Sequence, residues 1–460
     1  MMWWLFSFAV ANRCFDDAID PADRLNITID GISMPFKIGY GNWAGPRVTA
    51  NVLQIFLAEQ VGYNVEIQPG GSEGASQAIL DGSLHSAVEL WPAYMSSGTF
   101  ERLESESVVK PLAYTSIEGL YLRNDTLSTA IENGHFLDIY RAYDERWTPA
   151  AQYFDLTREV TGAGCEFPYY YSYQVQYAAE YVLHTGDEEG IERGEDGAVT
   201  GWRCDTGVAP GWWLAPACRA DPATCIPTVS IWYYGWNLIP QWSFFHKLPI
   251  AFTRVAAPDE YVRFTNASET LFYNFGPDME LYKLAPKKIL MPRANPEEHA
   301  QKRFYSDVIS KDLLRVINGR VAKTYEELAK TVQQFDLLSS EHNEILMSEK
   351  RSGEVDNAPS EEERAWAAAC AWLRVNDKWT GWITSCSPGT ARLKVKCGAG
   401  SQFVPESCLS WQSSFQRATF KSSFSVKVLK RYSLKMARFS VECRSCAPRA
   451  FFYLQVSLRF

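Results

Sequence analysis

Up to Gln412 the chain lacks the clustered Lys and Arg that contact with nucleic-acid phosphates requires. Its formal charge is −9 over 460 residues. The basic residues gather at the end: from Gln412 onward about ten Lys or Arg stand against one acid, which leaves about −18 on the rest. No nucleic-acid partner is expected. Past the first residues, no stretch reaches the ~18 consecutive apolar residues of a membrane helix. Histidine is scarce, at 6, and no C-x-x-C pair precedes Cys443-x-x-Cys446, which argues against a zinc site. No G-x-S-x-G elbow accompanies His246, so a serine triad is discounted. Asp187-Glu-Glu189 reads as a solvated loop rather than an acid/base pair. Internal repeats and low-complexity tracts are missing. Neither a catalytic residue nor a cofactor is expected.

What the chain does have is aromatic surface, including 16 Trp. Two of them close short apolar runs, Ser86–Trp91 and Ile231–Trp236. A Trp at the end of a buried strand lies at the mouth of a sheet, where α/β proteins hold ligands. Its electron-rich face suits a cation with no N–H to donate, such as a quaternary ammonium. The apolar share of 46% and charged share of 22% describe a globular chain, long enough for two or three domains. Trp3–Val10 is apolar and ends in Ala9-Val10-Ala11, a small-x-small pattern, so residues 1–11 are expected to be a cleaved secretion signal. Cys165, Cys204, Cys218, Cys225, Cys370 and Cys386 are disulfide candidates, and the sequons at Asn26, Asn124 and Asn266 are glycosylation candidates. Together these features point to a secreted or extracytoplasmic protein, with membrane association left open.

Strand and helix alternate at short intervals in the first hundred residues. Phe36–Tyr40 reads as a strand, and Pro46 stands at the opening of a helix with Val48, Val52, Ile55 and Phe56 on one face. Tyr63–Ile67 is the next strand. Ser72 is the expected N-cap of a helix through Ala75 and Ile79, and Leu84–Trp91 is the third strand. Such alternation predicts an α/β fold with mostly parallel sheets covered by helices. Thr228–Trp236 reads as a buried strand, Gly186–Gly201 as an acidic surface loop, and Ala209–Ile226 as a stapled insertion. After Phe252-Thr-Arg-Val the pattern reads as helical, with Ser360-Glu-Glu-Glu a helix start. Residues 386–460 form a Cys-containing basic tail without stable periodicity.

Lys37-Ile-Gly-Tyr-Gly-Asn-Trp43, Gly62-Tyr63, Ala78-Ile-Leu-Asp-Gly82 and Ala87-Val-Glu-Leu-Trp91 resemble the first lobe of glycine betaine/proline betaine substrate-binding proteins. Ile231–Trp236, Ala368–Asn376 and Trp379–Ile383 continue the resemblance across Phe36 to Ile383. It implies a two-lobed periplasmic-binding-protein fold of type II, with 36–115 plus 252–385 as one lobe and 116–251 as the other. It also implies a solute receptor that is not an enzyme and that delivers a betaine-like ligand to an ABC-type permease. Trp91 and Trp236 match two positions of the family's aromatic box. The third is absent, since Ala163-Gly164 precedes Cys165-Glu166, and Met95 stands where one branch has a polar contact. Trp43, Tyr40 and Tyr169–Tyr171, Tyr170 among them, are the aromatics left to complete the box. The loop of Gly71, Ser72 and Glu73 is the expected carboxylate cradle. Glu89 is assigned no ligand role. The alternatives are the ectodomain of a larger membrane receptor, or a secreted carbohydrate-binding module, since stacked aromatics also bind sugars.

Overall fold

The computed structural model describes residues 13–144, 149–154, 164–166, 171–255, 257–267, 270–278, 281, 284–353 and 357–383. The chain divides into two units, Met1–Gly398 and Ala399–Phe460, and every described residue belongs to the first. The expected signal, Tyr169, Tyr170, Cys386, the side chain of Asn266 and the basic tail lie outside the described residues.

A small hairpin, β1 (Ile27–Ile29) with β2 (Ile32–Met34), precedes the first lobe proper. That lobe holds β3 (Phe36–Tyr40), α1 (Ala44–Phe56), β4 (Val65–Pro69), α2 (Gly71–Asp81), β5 (Ser86–Leu90), α3 (Ser97–Glu106) and β6 (Ser107–Thr115). The chain then crosses to the second lobe. There it forms β7 (Ile117–Leu122), α4 (Asn124–Glu132), α5 (Tyr171–Thr185), the hairpin β8 (Ile191–Arg193) and β9 (Val199–Trp202), and β10 (Trp213–Leu214). The lobe continues through β11 (Ile226–Ile231), α6 (Ile239–His246), β12 (Ile250–Val255), α7 (Pro258–Ala267), β13 (Leu271–Gly276) and β14 (Lys287–Lys288). The return crossing leads to β15 (Asp312–Asn318) and the closing helices, of which Ser339–Gly353 and Glu361–Val375 are the longest.

The five-stranded sheet runs β4-β3-β5-β15-β6 and the six-stranded sheet β10-β12-β11-β13-β7-β14. Both are mixed rather than mostly parallel. β3, β4 and β5 are parallel, as are β11, β12 and β13, while β15, β7, β10 and β14 run against their neighbours. The reason is topological. Short βα repeats enforce parallel pairing, but the strands next to each crossing re-enter their sheets from the opposite end. The predicted lobe boundary is corrected as well. β12, β13 and β14 belong to the second sheet, so the return crossing falls near Lys311 and not at 252.

Side-chain alternation places the cores. Val88, Leu313 and Ile317 face one side of the first sheet with Phe36, Ile38 and α1, while Ala87, Leu314 and Val316 face α2 and α3. Gly39 allows α2 and the turn after it to approach, since a Cβ there would lie 3.2 Å from the Ala75 Cβ and 2.5 Å from Leu84 Cδ1. Ala365, Ala368 and Ala369 line the buried face of the last helix, in the same core as α1. Ser360 and Glu363 form the capping box that starts that helix.

The second core gathers Trp202, Trp213, Trp236 and Trp242 around β11, β12 and β13. Three disulfides occur among the described residues: Cys165–Cys204, Cys218–Cys225 and Cys14–Cys370. Cys370 therefore pairs with Cys14 of the N-terminal segment, a cysteine absent from the expected set. Asp187 is not solvated: it accepts from Arg219 Nη2 at 2.5 Å and from Tyr181 in the lobe interior. Asn26 is exposed, while Asn124 spends its amide N–H on the Ala285 carbonyl.

The two crossings bind each other. Ser116 N–H donates to the Lys311 carbonyl at 2.8 Å, and Lys311 N–H donates to Ser116 Oγ at 3.0 Å. Beside them, Phe275 on β13 packs against both the first-lobe and the second-lobe core.

Candidate functional site

The site begins at the end of β5. Glu89, one residue from that end, has φ +53°, a strained value for a residue with a Cβ. Its fully buried carboxylate accepts from Tyr114 Oη at 2.8 Å, lies 3.3 Å from Thr49 Oγ1, and pairs with His342 Nε2 at 3.2 Å. This network clamps β5 to α1 and to the helix Ser339–Gly353, so the following residue pair emerges in one direction. Gly45 sits against it, where a Cβ would come 2.8 Å from Glu89 Oε1. Glu89 thus acts inside the first lobe.

Trp91 is 1% exposed. Its backbone N–H donates to Ser72 Oγ at 2.9 Å, which ties it to the first turn of α2. The single turn Pro92–Tyr94 folds back, and the Tyr94 ring lies 5.8 Å from Trp91. Trp43 approaches from the other side, edge-on at 6.2 Å. Its ring lies over Gly41, where a Cβ would be 2.2 Å from Trp43 Cζ3. Glycine is required there by close approach.

The second lobe supplies the facing rings. β13 pairs antiparallel with β7, setting Phe275 opposite Glu118 and Tyr273 opposite Leu120. Residues two apart share a face, so Phe275, Tyr273 and Glu118 all look the same way. Phe275 meets Trp91 at 5.7 Å and 84°. Tyr234 meets Phe275 at 5.1 Å and Tyr94 at 5.9 Å. Tyr233 then stacks on Tyr173 of α5, at 4.7 Å and 2°. Aromatic rings from both lobes thus form one continuous cluster.

Trp236 does not join Trp91. The strand predicted to reach Trp236 ends at Ile231, because Trp232 at φ +51° and Gly235 at φ +77° turn the backbone. Trp236 instead packs inside the second lobe on Phe252 at 4.3 Å and Trp202 at 5.4 Å. Tyr234 is the residue that this turn delivers to the cluster. Tyr40 is also removed from it. Its side chain is buried in the first-lobe core, where its phenol is raised by burial against the opposing charge of Arg47.

The expected cradle is adjacent to Trp91 but largely committed. Gly71 starts α2 at φ +65°, and Ser72 is spent on Trp91. Glu73 accepts from Ser96 N–H at 3.0 Å and Thr99 Oγ1 at 2.7 Å at the start of α3. Burial opposes its ionisation, yet the hydrogen bonds from Thr99, Ser96 and Gln77 outweigh that and hold its carboxyl below the ordinary range.

Sequence reasoning missed Glu118, Tyr94, Tyr234, Tyr273 and Phe275. The available signals were the Tyr233-Tyr234 pair ahead of Gly235 and the period-2 aromatics Tyr273 and Phe275. Tyr273 Oη donates to Glu118 Oε2 at 2.5 Å. Burial pushes the Glu118 carboxyl up, against the hydrogen bond from Tyr273 and the charges of Lys311 and Lys288. The Tyr94 and Tyr273 phenols are held well above their ordinary value, first by burial and then by the charge of Glu118.

Residues 35–133 match the family model described as the substrate binding domain of ABC-type glycine betaine transport systems. That segment carries Trp43, Trp91, Tyr94 and Glu118. Tyr234, Tyr273 and Phe275 lie beyond it. No curated protein sequence matches the chain. Among solved structures, the chain is similar to a glycine betaine/L-proline-binding protein from Borrelia burgdorferi, with 11% identity, 76% of this chain and 97% of that one covered, and a TM-score of 0.42. It is also similar to a lactococcal protein in a closed conformation with glycine betaine, at 10% identity, 76% and 99% coverage and a TM-score of 0.42. A choline-binding protein in complex with choline gives 11% identity, 76% and 92% coverage and a TM-score of 0.41. At such values these likenesses assign neither a ligand nor a residue.

Proposed function

We propose that this chain is an extracytoplasmic solute-binding protein that encloses a quaternary ammonium compound between its lobes and presents it to an ABC-type permease. The observation that carries the reading is the cluster of Trp43, Trp91 and Tyr94 from one lobe against Phe275 and Tyr234 from the other. The match of residues 35–133 to a betaine-binding family model supports the same reading.

A quaternary ammonium offers no N–H, so hydrogen bonds cannot select it. Aromatic faces attract it by ~0.5–2 kcal/mol per contact when water is excluded. In the structure these rings touch one another, so a ligand seated among them must part them. The paired crossings at Ser116 and Lys311 are the hinge about which the lobes would rotate to admit it. The α2 N-terminus beside Trp91 offers the nearest positive helix end to a ligand carboxylate.

Titration calorimetry with glycine betaine, proline betaine and choline tests the reading. Binding of at least one is expected, and absence of heat with all three rejects it.

A further inference from the structure

Glu118 is an acid hydrogen-bonded within the aromatic cluster, where it accepts from the Tyr273 hydroxyl. Among the described residues no Lys, Arg or His forms an ion pair with it. The charges of Lys311, and less of Lys288, reach it without an ion-pair contact, and Lys288 is paired with Asp307 at 2.9 Å. One Tyr273 hydroxyl is its hydrogen-bond donor. Its charge bears on phenols from three separate elements: Tyr94 after β5, Tyr177 on α5 and Tyr273 on β13. Leaving a half-buried carboxyl without an ion-pair partner carries a cost to the fold. A pairing of this kind, a half-buried acid among tyrosine rings, is stabilised when a cation enters the cage. The acid supplies the charge, and the rings supply contact that needs no donor.

We infer that Glu118 is the counter-charge for the cationic head of the ligand, and that it selects a quaternary ammonium without a carboxylate, such as choline, over a zwitterion such as glycine betaine. This rests on the quaternary ammonium reading above and narrows it to one ligand class. A zwitterion carries its own carboxylate a few bonds from the nitrogen, which brings a second anion near Glu118 in a medium of low polarity. Choline brings a hydroxyl there instead, which donates to a carboxylate rather than repelling it.

Choline binding requires the ionised acid, so choline affinity rises with pH through the Glu118 titration while betaine affinity falls. The groups facing Glu118 do not confuse this profile. Tyr94, Tyr177 and Tyr273 are pushed upward, away from the range tested, and Lys311 and Lys288 bear on Glu118 through their charge.

The test is calorimetry of the full chain with choline and with glycine betaine between pH 5 and pH 8, for the wild type and for Glu118→Gln. Wild type is expected to bind choline at least about tenfold more tightly at the upper end. Glu118→Gln is expected to weaken choline by about tenfold or more, to strengthen betaine, and to flatten both pH profiles. Tighter binding of betaine than choline by the wild type overturns the inference and leaves the quaternary ammonium reading standing. So does an unchanged choline-to-betaine ratio in the variant. If the variant fails to fold, opposite pH slopes for the two ligands in the wild type still support the inference, and parallel slopes still overturn it. A wild type that binds neither ligand removes the underlying reading instead.

Discussion

At the residue scale, the cluster makes unequal demands on its members. Trp91 is the ring touched by Trp43, Tyr94 and Phe275 together, so Trp91→Ala should cost ~1–3 kcal/mol of ligand binding with the fold retained, as read by calorimetry beside circular dichroism. Trp236→Ala is expected to behave differently. Its ring fills the second-lobe core against Phe252 and Trp202, so the variant should lose ~3–5 kcal/mol of stability in urea titration before any ligand effect is read. Gly235 sits at φ +77°, and a Cβ there would lie 2.7 Å from the Tyr273 ring. Gly235→Ala should therefore destabilise by ~1–3 kcal/mol and displace the two aromatic residues it positions. A neutral urea midpoint in that variant would contradict the geometry.

At the element scale, β5 is held from both ends. Its exit is fixed by the Glu89–His342–Tyr114 network, and its entrance by His85, whose Nδ1 accepts the Lys37 N–H of β3 at 2.9 Å. Burial first, and then the charge of Lys37, lower the His85 pKa from 6.5 to about 4. The unfolded chain binds the proton more readily, so this neutral imidazole contributes its full stability above pH 6.5. That contribution is lost progressively as pH falls toward about 4. The urea midpoint should drop across that window, and His85→Asn should make the slope shallower. Equal slopes in wild type and variant would remove His85 as the cause. The Cys14–Cys370 bridge ties the N-terminal segment to the last helix over a separation of 356 residues. Replacing both cysteines with Ser should cost ~2–5 kcal/mol, a loss that Tm measurements with and without reductant would show in the wild type as well.

At the scale of the whole molecule, the two lobes share a paired crossing and one aromatic boundary. Ligand held between them should stabilise both at once. At a hundredfold excess over Kd the expected gain is ~2.7 kcal/mol, visible as a single cooperative rise in Tm. Two transitions, only one of them ligand-sensitive, would count against enclosure between lobes. The alternating strands and helices of the first lobe were legible in the sequence because each β-α step there is local: Phe36–Tyr40, the α1 stripe and Ser86–Leu90 all fall where the pattern predicts. The second lobe was harder to read. β13 and β14 pair with β7, which lies far earlier in the chain, so no local pattern shows which sheet they join.

Composition and pattern alone determined that this chain buries an aromatic-rich α/β core, that Trp91 closes a central strand, and that cysteines staple the irregular regions. These are consequences of hydrophobic periodicity and residue type. Only the tertiary structure decided which rings meet. A left-handed turn at Trp232 and Gly235 turns Trp236 into the core and delivers Tyr234 to the boundary. The register of β13 on β7 then sets Glu118 beside Phe275 and Tyr273. A backbone turn and a cross-strand register are long-range outcomes, and no local window of sequence contains them.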